Sequence, residues 1–144
     1  MYWTRPPGRP RLVGIRRNGR RALVGKPRPM FIAFVAVTLV AIAANAIESV
    51  ANFMGAAWVK QNSHAVGVPD SWLPFLGFVK GAAAVGLAVG FFWRPLGIAA
   101  AVGLVVFFVP ALVLHVRERV FHNIAGPIAF LALSIATLWL MAAA

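Results

Sequence analysis

The chain has no cysteine, three acidic residues and three histidines among its 144 residues. Without thiols it forms no disulfide, runs no thiolate chemistry and holds no cysteine-ligated iron–sulfur cluster. With three carboxylates and three imidazoles, a buried metal cage is not expected. Charged residues make up 12% of the chain, well below the roughly 25% of a soluble domain. Nothing resembles an activated nucleophile, a metal site or a cofactor fingerprint, so standalone turnover is not expected.

What fills the chain instead is apolar sequence. Hydrophobic residues reach 61%, and mean hydropathy is +0.83. A helix rises ~1.5 Å per residue, so about 20 apolar residues cross a ~30 Å hydrocarbon core. Stretches at about 30–54, 73–93, 97–116 and 124–141 meet that length. The expected fold is an all-α integral membrane bundle of four transmembrane helices. Between the first two spans, Gly55–Ser71 is polar and reads as a loop, with Asp70 or Ser71 capping the next helix. Arg94–Pro95 reads as a tight turn, and Arg117–Asn123 as a short loop whose Asn123 caps the fourth span.

Residues 1–29 are different in kind. They hold nine Lys and Arg and no acid, within Pro- and Gly-rich sequence that cannot bury enough apolar surface to order itself. This basic arm suits anionic lipid headgroups, with Arg16, Arg17, Arg20 and Arg21 as the contacts. It lacks the aromatic interleaving of a nucleic-acid binder, and no nucleic-acid partner is expected. Other readings of the arm are a topology determinant, a stretch upstream of a start at Met30, or the n-region of a signal peptide cleaved after Ala44-Asn45-Ala46. Apolar sequence continues past that site to Met54, which favours a retained first span. With the N-terminus inside, the inner side carries the arm and Arg94, while the outer side carries only Lys60, Arg117 and Arg119. The positive-inside rule then places both termini in the cytoplasm.

Lys80 stands inside the second span, where an ammonium costs ~2.5 kcal/mol or more. The one acid at membrane depth is Glu48, in the first span. Asn45, Glu48, Ser49 and Asn52 cover only about 100° of helix circumference, a single face. The topology sets that face, Lys80 and His115 at similar depth in the outer half of the bundle. A lone ion in lipid gives up its charge, so a Glu48–Lys80 pair is expected, with Asn45 and Asn52 meeting its remaining hydrogen-bonding sites. Two readings stand side by side: interhelical glue, or a ligand, quinone or proton site. His115 also fits a plain interfacial position beside Arg117 and Glu118. In the second span Gly77 and Gly81 form one small-residue step, and Gly86 and Gly90 another. Small residues at this spacing admit close backbone approach. Pro110 is expected to free a carbonyl near Val106 and bend the third span.

From Leu76 onward the chain resembles the DoxX-like family of small four-helix bacterial membrane proteins. The resemblance rests on Leu76-Gly77-Phe78-Val79-Lys80-Gly81, Gly86-Leu87, Pro95-Leu96-Gly97, Ala100-Ala101, Gly103-Leu104 and His115 with Arg117. The long basic arm is not a family feature, and no thiol is present for the sulfur chemistry linked to the namesake. The resemblance implies a multi-pass protein of the bacterial inner membrane. It further implies an association with oxidoreductase complexes, including thiosulfate:quinone oxidation. The leading expectation is a non-catalytic accessory subunit of a redox complex that contributes to a quinone site, through Glu48, Lys80 and His115. The alternatives are a small homo-oligomeric transporter and a structural protein with a polar packing centre. The one cofactor this resemblance suggests is a quinone.

Overall fold

The structure, a computed structural model, describes residues 28–144 together with Gly8 and Gly25. The expected headgroup contacts of Arg16, Arg17, Arg20 and Arg21 lie outside the described residues. Five helices follow in order: α1 (Pro29–Met54), α2 (Ala57–Ala65), α3 (Leu73–Val89), α4 (Arg94–Arg117) and α5 (Ala125–Ala143). A single 3-10 turn, Asp70–Trp72, leads into α3. The described residues contain no strand. Four helices are long and apolar enough to cross a membrane: α1, α3 with its leading turn, α4 and α5.

Local chemistry explains the boundaries. Pro29 sits in the first turn of α1, where its missing N–H costs nothing. Gly55 ends that helix in the left-handed conformation (φ 59°), and the Ala56 N–H returns to the Ala51 carbonyl at 3.0 Å. This closure strongly favours a residue without a Cβ. Arg94 and Pro95, expected as a turn, instead open α4; the turn itself is Gly90–Trp93, so the second span stops short of Trp93. The reason lies in the backbone at Gly90. A Cβ there would lie 2.6 Å from the Gly97 Cα, so α3 and α4 cross with backbones touching, and the chain must reverse immediately afterwards.

The loop expected over Gly55–Ser71 contains α2. Its mean hydropathy is low and its apolar residues are few, so no span signal marks it. Neither expected cap forms by side chain. The residue before α3 is Trp72 and the one before α5 is Ile124, and neither helix start receives a side-chain hydrogen bond. The Asn123 amide donates to Asn62 Oδ1 at 2.7 Å instead, tying the α4–α5 connection to α2.

Helices α1, α3, α4 and α5 pack as a ring, each against two neighbours. Its centre is Phe34, Ala41, Ala83, Leu87, Ala101, Leu104, Phe108, Leu140 and Met141. The outward faces are apolar too. Ile47, Val50, Phe78, Val85, Val106, Ile135 and Trp139 are all more than half exposed. Such an inside-and-outside apolar surface suits lipid on every side. At one end the ring is roofed by α2 and the 3-10 turn. The opposite end carries Pro29, the Gly90–Trp93 turn and Ala143.

Candidate functional site

Lys80 lies on the buried face of α3 because Gly77 and Gly81, on the same side of that helix, let it press against α1. A Cβ at Gly77 would meet the Ser49 carbonyl and the Asn52 Cβ at 3.1 Å, and one at Gly81 would meet Ser49 Oγ at 2.7 Å. The Ser49 hydroxyl donates to the Gly77 carbonyl at 2.7 Å and locks the crossing. Gly86 packs against Ala100 of α4 in the same way, and Gly90 against Gly97.

At this crossing the Lys80 ammonium donates to Glu48 Oε2 at 2.5 Å. The Lys80 side chain is 10% exposed and that of Glu48 19%. The ammonium also faces the rings of Phe107 and Phe108, 5.6 and 6.0 Å from their centroids. Aromatic faces attract a cation most where water is scarce.

The two asparagines do not serve this pair as expected. Asn45 donates to the Ala41 carbonyl at 2.9 Å, and Asn52 to the Glu48 main-chain carbonyl at 2.7 Å, each one turn back on α1. A carbonyl four residues earlier on the same helix is the nearest acceptor to such a side chain, and it takes the donor. His115 is buried, and its Nδ1 lies 2.8 Å from the Ala111 carbonyl. A carbonyl only accepts, so Nδ1 carries the proton and, in a neutral ring, Nε2 is an acceptor.

Glu48, Asn52, Lys80 and His115 line one cavity of about 440 Å³ at the α2 end of the bundle. That lies within the range of small-molecule sites. Phe107, Phe108 and Phe130 wall its depth, and Trp58 and Trp72 stand at its mouth. Asn45 is outside this lining. Among the described residues no group of His, Asp and Glu is placed to hold a metal ion.

The sequence model of the DoxX-like family matches residues 36–137. The chain belongs to the DoxX-like family. Searches of the curated proteins and of the solved structures find no match. Family and fold together make this an integral, multi-pass membrane protein.

Several lining residues of this DoxX-like bundle carry no sequence signal. Phe107, Phe108 and Phe130 sit in apolar runs and look like any lipid-facing or core residue until the helices are packed. Phe108 stacks on Phe130 at 5.0 Å and meets Phe107 edge-on at 5.0 Å, which fixes the aromatic wall. Pro110 and Val106 both line the cavity within an α4 that continues to Arg117. Asn123 also lines it, and its Oδ1 is buried without a partner.

Proposed function

We propose that this protein is a non-catalytic membrane subunit whose cavity binds a quinone head group in support of a redox partner. One observation carries the reading: an ammonium, a carboxylate and an imidazole converge on a single aromatic-walled cavity instead of on filled core. Glue needs the pair but no cavity beside it. The Lys80 ammonium has three protons, and Glu48 takes one, which leaves donors for a quinone carbonyl. Glu48 orients the ammonium, and His115 Nε2 exchanges a proton with a bound hydroxyl. Phe107, Phe108 and Phe130 offer faces for a flat ring. Exposed apolar residues at the rim, Phe75 and Val106 among them, give an isoprenoid tail a way into lipid. The redox setting comes from the family resemblance. With both termini in the cytoplasm of a bacterium, the cavity opens in the outer half of the inner membrane.

The test uses the two tryptophans at the mouth. In nanodiscs, a short-chain ubiquinone should quench Trp58 and Trp72 saturably. Lys80→Met should weaken the apparent affinity about tenfold, the scale of one charged hydrogen bond at ~1.5 kcal/mol. Non-saturable quenching that is identical in the variant overturns the reading.

A further inference from the structure

Beyond the Glu48–Lys80 pair, away from the cavity, the bundle interior turns polar again. Thr38 and Thr137 are 0% exposed, and Asn45 and Ser134 are 1% exposed. Helix register sets them in one column. Gly97 lies against Met141, and Phe108 stacks on Phe130, which pairs α4 and α5 antiparallel. That pairing brings Leu104 level with Ser134 and Ala101 level with Thr137. Gly86 against Ala100 and Gly90 against Gly97 put Ala83 of α3 level with Leu104. Gly81 against Ser49 then puts Ala84 level with Asn45. Asn45 and Ser134 therefore share a level, Thr137 lies about a turn further on, and Thr38 lies beyond it. From Glu48 to Thr38 the column is about 15 Å long.

Hydrogen bonding in this column does not close. Ser134 donates to the Phe130 carbonyl at 2.7 Å, Thr137 to the Leu133 carbonyl at 2.8 Å, and Asn45 to the Ala41 carbonyl. The two hydroxyl donors and one of the two Asn45 amide protons are spent on their own helices. Asn45 Oδ1 and Thr38 Oγ1 are buried with no partner at all. An orphaned group of this kind is costly, the more so where lipid surrounds the bundle. Asn45 Oδ1 lacks a donor, and the Thr38 hydroxyl lacks both a donor and an acceptor, so the missing partner must do both, as water does. Ala41, Ala83, Ala84 and Ala101 stand at these levels beside the buried Leu87 and Leu104.

We infer that ordered water occupies this column, donating to Asn45 Oδ1, Thr38 Oγ1 and the hydroxyl oxygens of Ser134 and Thr137. The file begins about one turn from Glu48 on α1. It ends at the apolar residues Phe34, Leu140 and Met141, so it does not cross the bundle. The inference goes beyond the quinone reading and stands or falls without it.

Water-edited solid-state NMR of the full chain in deuterated lipid bilayers tests this, with bulk water as the probe. Polarisation should reach Thr38, Asn45 and Thr137 several-fold faster than Met141, which is equally buried and stands at the end of the column. Transfer as slow as at Met141 overturns the inference. In a Thr38→Val, Asn45→Leu variant, Ser134 and Thr137 should lose their fast transfer; unchanged transfer there also overturns it. If that variant does not fold, the comparison within the native chain still decides. No quinone enters the experiment, so its failure leaves the cavity reading untouched.

Discussion

The Lys80 ammonium meets Glu48 Oε2 at 2.5 Å across the α1–α3 crossing. Among the described residues it is the one ion pair that joins two long helices; the others lie within α2 and its flanking turn or beside the end of α4. Burial makes the pair costly to break from one side, because the surviving ion keeps its desolvation penalty and loses its partner.

Lys80→Met and Glu48→Gln should therefore each destabilise the bundle, by about 3–5 kcal/mol. The double variant should lose less than the two single losses added together, since neither ion is left behind. Reversible unfolding in mixed micelles measures all three. Strict additivity would show that the two groups do not act as a pair.

Glycines in the bundle should divide sharply. Gly90→Ala drives a Cβ to 2.6 Å from the Gly97 backbone and 3.0 Å from the Leu87 carbonyl. Neither neighbour is the flexible tip of a side chain, so the helices must separate, at about 1–3 kcal/mol. Gly103 has nothing within 4 Å of the same added atom. Gly103→Ala should be neutral or slightly stabilising, since alanine is the better helix former. Thermal unfolding of the two variants side by side checks the contrast.

Arg94 reaches across the bundle to the end of α5. Its Nε donates to the Met141 carbonyl at 2.7 Å, and its Nη2 donates to the Ala142 carbonyl. These are carbonyls that the helix itself leaves open, and the positive charge suits the helix C-terminus. Arg94→Ala should fray the last turn of α5 at a cost of about 1–2 kcal/mol. Hydrogen exchange of the C-terminal peptide should rise while α1 and α3 stay protected. Lysine at this position should restore only part of the protection, because it cannot fork to two carbonyls.

The spans and the Glu48–Lys80 pair were legible because charge inside a long apolar run stands out against its surroundings. Helix boundaries were less so. Phe91, Phe92 and Trp93 continue the apolar signal of α3, yet the helix ends at Val89 because Gly90 must meet Gly97, a tertiary demand with no local signature. Helix α2 was hidden by its polarity and its short length. Asn45 and Asn52 were found as polar residues on the correct face, but their partners were not, because a carbonyl on the same helix competes with every distant acceptor. The cavity itself was invisible. Trp58 and Phe130 are separated by much of the chain and become neighbours only when the ring of helices closes.

Photolabelling with an azido-ubiquinone tests the central claim most directly. In membranes, the label should fall on cavity-lining peptides around Trp58–Ser63 and Phe107–His115, and excess unlabelled quinone should compete it away. Label spread over lipid-facing positions such as Ile47 and Trp139, indifferent to competitor and unchanged in Lys80→Met, would contradict a quinone site in this cavity.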